Sequence, residues 1–159
     1  MDKDFEDYAD ALLKTWPCES IKEARENVTI AVNKAKEGKE GEEIWVAEVE
    51  GRAVGFMLLE FTRVWGHAGE AFEEMAACIN WFDVHPNYQR QGIGQELLLK
   101  AEGRAKEGGF KRIFAHTATS NLAMINFASK NGFKFAKHLK EFWGKGTGDA
   151  FLLIKDSLS

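Results

Sequence analysis

A mixed α/β (α+β) domain built around one sheet is the fold class this sequence predicts, on three observations. Helical spacing dominates the first third of the chain, and a β-hairpin follows it. The remainder then runs strand, helix, strand, helix, strand, strand, an order that places helices against a single sheet. One Gly-rich loop falls between a strand and a helix, where such folds hold their ligands. The 159 residues suffice for one ordinary domain, 1–159, of a size that buries roughly 70% of its unfolded surface.

The elements follow in order. Asp4 to Thr15 reads as a helix stopped by Pro17, which lacks an N–H and clashes with a preceding turn. Ser20-Ile21-Lys22-Glu23 is a capping-box pattern, and Ile21, Ala24, Val28, Ala31, Val32 and Ala35 recur at helical spacing as far as about Glu37. Gly38 and Gly41, among charges, end that helix. Ile44 to Val49 and Ala53 to Phe61 read as strands joined by the turn Glu50-Gly51-Arg52. Thr62 to Ala76 shows neither period cleanly and is expected to be a variable loop, or a solvated acidic stretch. Ala77 to Val84 is a strand. Gly92 to Glu107 is a helix with Ile93, Leu97, Leu98, Ala101 and Ala105 on one face, and Arg112 to Thr117 is another strand. Leu122 to Lys130 is helical, and Phe133 to Lys137 and Asp149 to Lys155 are closing strands around the turn-forming run Trp143 to Gly148.

Composition excludes several functions. Hydrophobic residues make up 45% and charged residues 29%, which are globular proportions, and no apolar run approaches the roughly 20 residues that span a bilayer. The acidic, polar start Met1-Asp2-Lys3-Asp4-Phe5-Glu6-Asp7 does not look like a secretory signal, so no membrane partner and a cytoplasmic location are expected. Cys18 and Cys78 are too far apart for a C-x-x-C pair, and His67, His85, His116 and His138 lack H-x-x-x-H spacing. No metal is expected. A net charge of −4 is the wrong sign for affinity drawn from phosphate neutralisation, so no nucleic-acid partner is expected either.

The chemistry concentrates in His85-Pro86-Asn87-Tyr88-Gln89-Arg90-Gln91-Gly92-Ile93-Gly94. The first N–H groups of a helix have no internal acceptor and sit at the positive end of its dipole, so a helix opened by this loop suits a diphosphate. Gly92 and Gly94 let the backbone approach an anion closely, and Gln89, Arg90 and Gln91 add donors. The alternative is a tight strand-to-helix turn. A dinucleotide fingerprint fails for want of a third Gly, and Gly144-Lys145-Gly146-Thr147 lacks the order of a P-loop.

At these residues the sequence resembles the GNAT N-acetyltransferases, whose Q/R-x-x-G-x-G/A signature appears as Gln89 to Gly94. Val84, Pro86 and Tyr88 stand at the offsets common in that family, and a second element, Asn121 through the helix to Gly132-Phe133, follows at the proper distance. The resemblance implies the GNAT acyl-CoA N-acyltransferase fold, a mixed, mostly antiparallel sheet flanked by helices. It also implies acetyl-CoA as co-substrate. The pantetheine would lie along the strand carrying Phe82 and Val84, and the diphosphate would meet the N–H groups from Gln91 through Gly92, Ile93 and Gly94 to Gln95. Asn121 would hold the pantetheine or cap the following helix, and Phe127 would line the cofactor site. A backbone N–H near Phe82 would stabilise the developing oxyanion.

The sequence departs from the family pattern at three places. Ala128 stands where many members carry a Tyr that protonates the departing thiolate, and Asn80 stands where polyamine-type members carry a Glu. An amide cannot take a proton but can orient water. The third departure is an N-terminus that enters helix almost directly; a missing first strand would leave a sheet edge for a second copy of the chain, hence the expectation of a homodimer. His116 aligns with a Glu that serves as base in alanine acetyltransferases of ribosomal proteins, and its ordinary pKa near 6.5 suits proton transfer. Catalysis is therefore expected to rest on His116 and Asn80, with His67, Asp83, His85 and Glu74 as weaker candidates. The acceptor is expected to be a primary amine of a small molecule, peptide or protein N-terminus. Glu70, Glu73 and Glu74, with Trp65, Trp81 and Trp143, would receive it through charge and cation–π contact, unless the tryptophans serve packing alone. A non-catalytic acyl-CoA sensor is the alternative.

Overall fold

The computed structural model describes residues 41–50, 52–62, 65–67, 70–72, 76–156 and 158. The two helices expected before Gly41, and the N-terminal stretch in which a first strand is expected to be missing, lie outside the described residues. Eight strands and two helices follow: β1 (Glu42–Val49), β2 (Arg52–Thr62), β3 (Trp65–His67), β4 (Glu70–Phe72), β5 (Ala76–Val84), α1 (Ile93–Glu107), β6 (Arg112–Ala118), α2 (Leu122–Lys130), β7 (Lys134–Leu139) and β8 (Ala150–Asp156). Six of the strands form a mixed sheet in the order β1-β2-β5-β6-β8-β7. β1 with β2, β6 with β8 and β7 with β8 run antiparallel, whereas β5 and β6 run parallel.

Most boundaries expected from the sequence hold to within two residues, since hydrophobic period and Gly punctuation fix them locally. The segment from Thr62 to Ala76 differs. It contains β3 and β4, paired as Trp65 with Phe72, Gly66 with Ala71 and His67 with Glu70. Strands of three residues are too short to show an alternation, which is why the sequence reads there as loop. A short 3-10 turn, Pro86–Tyr88, also intervenes before α1.

The chain divides into two compact units, Met1–Glu60 with Asn80–Ala101 and Phe61–Ile79 with Glu102–Ser159, and β5 contributes residues to both. In the first unit β2 is buried without interruption from Ala53 to Leu59, so both of its faces are covered. The approach at Gly55 is close: a Cβ there would lie 3.1 Å from the Asp83 carbonyl oxygen and 3.4 Å from the side chains of Val84 and Ile93. Glycine thus lets the start of α1 and the end of β5 press onto β2. His85 N donates to Val54 O at 2.8 Å, continuing that contact one residue past β5.

The second unit is built around Ala76, Cys78, Phe114, Leu139, Phe142, Ala150 and Leu152, with Ile154 packed against them. Successive side chains on a strand alternate between faces, so Phe114 and His116 share one face of β6. Phe142 reaches this core from the connection between β7 and β8 and is only 2% exposed. Phe142 thereby anchors a Gly-rich, polar connection to the core of this unit.

Candidate active site

In the first unit the site is the passage from β5 into α1. β5 ends at Val84, and His85 caps the 3-10 turn, its Nδ1 accepting from Asn87 N at 3.2 Å. Gln89 Nε2 then donates to Val84 O at 2.9 Å, and Gln91 Nε2 donates to Asn87 O at 3.0 Å. The sequence suggests both glutamines as donors to an anion; the structure has their amides closing the loop on itself. The reason is geometric: the 3-10 turn Pro86–Tyr88 folds Gln89 back toward Val84, and Arg90 at φ 59° turns Gln91 back toward Asn87.

Beyond the bend, the first bond of α1 runs from Glu96 N to Gly92 O at 3.0 Å. The N–H groups of Ile93, Gly94 and Gln95 precede it, as the opening groups of any helix do. A Cβ built on Gly92 meets nothing within 4 Å, so the backbone faces open space there. Gln89, Arg90 and Gln91 are exposed, and Arg90 brings one positive charge to the loop. A bend of this kind followed by a helix start can cradle a diphosphate through backbone donors and one cation, and the residues present fit that group. Phe82 is half-buried on β5 and Val84 is buried. Asn80 is half-buried and is the first residue past the last registered pair of β5 with β6, Ile79 with Ala115.

In the second unit the site gathers around His116, which is half-buried on β6 opposite Leu152 of β8. Its ring centroid lies 4.5 Å from that of Phe142 and 6.4 Å from that of Trp143, and the two aromatic rings meet edge to face at 5.2 Å. Phe142 was not foreseen as a site residue; the sequence signal is an aromatic pair set just before a Gly run. Trp143 is 40% exposed and forms the rim. Asn121 caps α2, its Oδ1 accepting from Met124 N at 3.1 Å. Phe127 is half-buried, and its carbonyl accepts from the Asn131 side chain at 2.9 Å. Ala128 is buried, and no phenol stands at that position. Trp81 lies against Phe56 in the first unit at 6.0 Å, while the side chains of Trp65, His67, Glu70, Glu73 and Glu74 are outside the described set.

The connection that carries Phe142 and Trp143 is anchored by Asp149. Its Oδ1 accepts from Glu141 N at 3.0 Å, and its Oδ2 lies 2.8 Å from His138 Nε2. The Glu141 N–H first, and His138 after it, hold the Asp149 carboxyl below its ordinary value of 3.8. A carboxyl lowered by folding stabilises the fold above its unfolded value and loses that contribution as pH falls through the folded one. On acidification from pH 6 through the carboxylate range, D149N is therefore expected to lose less thermal stability than the wild type; equal losses in parallel melts would contradict this.

Among the described residues no three His, Cys, Asp or Glu side chains come together as a metal site, and no helix is long and apolar enough to cross a membrane.

A sequence model of the Acetyltransferase (GNAT) family matches residues 5–133. The chain belongs to that family. No curated protein matches it. Among solved structures, this GNAT chain is similar to Ard1 from Thermoplasma volcanium, at TM-score 0.74 and 19% identity over 99% of this chain and 93% of that one. It is also similar to Naa20 of Chaetomium thermophilum in complex with a bisubstrate analogue, at TM-score 0.74 and 18% identity over 97% and 82% of the two chains. A GNAT family acetyltransferase from Elizabethkingia anophelis with acetyl-CoA bound gives TM-score 0.63 and 22% identity over 92% and 88%. At these identities the likeness is one of fold. It matches the fold expected from the resemblance, a mixed sheet with flanking helices.

Proposed function

We propose that this protein is an acetyl-CoA-dependent N-acetyltransferase that transfers the acetyl group to a primary amine of a small molecule, peptide or protein N-terminus. One observation carries the reading: in a GNAT chain, the loop Gln89–Gly94 opens α1 one short 3-10 turn after β5, with Arg90 and Gly92 bent into left-handed conformations. Backbone N–H groups from Gln91 to Gln95 hold the diphosphate, β5 around Phe82 and Val84 lies along the pantetheine, and Asn121 and Phe127 line the cofactor as in the family pattern.

The bound co-substrate supplies an activated acetyl group as a thioester. Within a ternary complex the neutral amine nitrogen attacks the thioester carbonyl, a C–N bond forms, and the C–S bond breaks with its electron pair leaving on sulfur. A backbone N–H near Phe82 steadies the oxyanion. His116 takes the proton that the amine sheds, and Asn80 orients water. The thiolate leaves without a protein acid; with a thiol pKa near 8.5 it is a tolerable leaving group. The protein's two cysteines, Cys18 and Cys78, with no disulfide-framework spacing, support a reducing, cytoplasmic location.

The reading is tested by titrating the protein calorimetrically with acetyl-CoA and desulfo-CoA, then screening amines, polyamines, aminoglycosides and short peptides for thiol release. Binding followed by release with one amine class is the expected result; no binding at millimolar cofactor overturns it. With the acceptor found, H116A lowers kcat by about 10²- to 10⁴-fold. A second reading, an acyl-CoA sensor without catalysis, draws on the buried Ala128 and on the amide at Asn80. Binding without release across the whole panel favours it.

A further inference from the structure

The connection from Lys140 to Gly148 places one non-glycine residue, Glu141, in a backbone conformation that it disfavours. Glu141 at φ 45°, Gly144 at φ 128° and Gly146 at φ 81° all lie where L side chains are disfavoured. Only two of these three are glycines, so Glu141 keeps its place against its own preference. What holds it is a set of hydrogen bonds. Glu141 N donates to Asp149 Oδ1 at 3.0 Å, Gly146 N donates to Glu141 Oε1 at 2.8 Å, and Thr147 Oγ1 donates to Gly144 O at 2.6 Å.

Asp149 is the hub of this set. Besides Glu141, its carboxylate meets His138 of β7 at 2.8 Å. Its carbonyl oxygen accepts from Thr119 N at 3.0 Å, just past the end of β6. One residue therefore ties together β7, the turn after it and the end of the strand that carries His116. Phe142 and Trp143, the two residues next to Glu141, place their rings 4.5 and 6.4 Å from the imidazole. Phe142 is buried and cannot move without opening the core, so the direction in which Trp143 leaves the chain is set by the turn that Asp149 fixes.

We propose that Asp149 is a positioning residue for His116, pinning the Lys140–Gly148 connection so that Phe142 and Trp143 hold the imidazole in one orientation. For its consequence on turnover the inference rests on the role given to His116 under the proposed function. Its structural half does not depend on that role.

The test uses the full chain with labelled histidine and follows the His116 ring protons, which feel the ring currents of Phe142 and Trp143, in the absence of any substrate. In D149A these resonances move toward their exposed-histidine positions, and kcat falls about tenfold while the KM for acetyl-CoA is unchanged, since a reacting group is misplaced without touching cofactor contacts. D149N, which keeps an acceptor for Glu141 N, restores most of both. Should D149A fail to fold, D149L, which keeps a side chain of similar shape at this half-buried position but offers Glu141 N no acceptor, is expected to show the same displacement. Unmoved His116 resonances in either folded variant overturn the inference. Displaced resonances with unchanged kcat overturn its catalytic half, and if H116A is then also fully active, the fault lies with the role proposed for His116 rather than with the anchor.

Discussion

Valine at position 92 weakens acetyl-CoA binding by about ten- to a hundredfold, the loss expected when one or two hydrogen bonds to a charged group are spoiled. Crowding is not the cause, because a Cβ at Gly92 meets nothing within 4 Å. The cause is the backbone angle. At φ 89° a β-branched residue is strained, and relief comes by rotating the peptide units on either side. Those units carry the N–H groups proposed to face the diphosphate. G92A is strained in the same sense but more mildly. G103A serves as a control, because Gly103 lies within α1 with open space and no unusual angle, where alanine is the better helix former. Calorimetric titration of the three variants checks the prediction, and unaltered affinity in G92V would remove the backbone of this loop from the list of cofactor ligands.

Truncating Phe114 to alanine lowers the unfolding free energy by about 3–5 kcal/mol. Phe114 is 1% exposed and belongs to the core of the second unit with Cys78, Phe142 and Leu152. The strands on either side restrict how far that core can collapse into the gap, with Phe114 registered against Cys78 on one side and Ile154 on the other. For a chain of this size the midpoint of thermal unfolding falls by about 2–4 °C per kcal/mol. Since Phe114 shares a face with His116 and a core with Phe142, what survives of F114A also has a looser seat for the imidazole. Urea unfolding followed by circular dichroism measures the loss, and a cost below about 1 kcal/mol would mean that the core closes over the missing ring.

Much of the fold is legible in the sequence because its elements are set by local rules. α1 follows from Ile93, Leu97, Leu98, Ala101 and Ala105 at helical spacing, of which Leu97, Leu98, Ala101 and Ala105 are buried. α2 starts where Asn121 caps it, and its last residue, Lys130, is the one expected. The hairpin β1–β2 turns at Glu50, which adopts φ 52°, next to the glycine that marks the turn in the sequence. β3 and β4 are not legible, because three-residue strands carry no period, and neither is the bulge between Ala47 and Glu48, which arises from pairing rather than from residue type.

The candidate site divides along the same line. That a glycine loop opens a helix after Val84 is decided by adjacent residues, and the order Gln89 to Gly94 is enough to predict it. The sequence by itself also determined the missing phenol at Ala128 and the amide at Asn80, since each is a matter of identity at one position. Only the three-dimensional structure decided that Gln89 and Gln91 donate from their amides to carbonyls of the loop, because those partners depend on how the chain turns at Pro86–Tyr88 and at Arg90. It alone brought Phe142 and Trp143 to His116, residues 26 and 27 positions apart in sequence from the histidine, and gave Asp149 its anchoring place. Contacts of that range come from antiparallel pairing of β6, β7 and β8, and the side chains that meet across such a sheet are set by register, which no local pattern encodes.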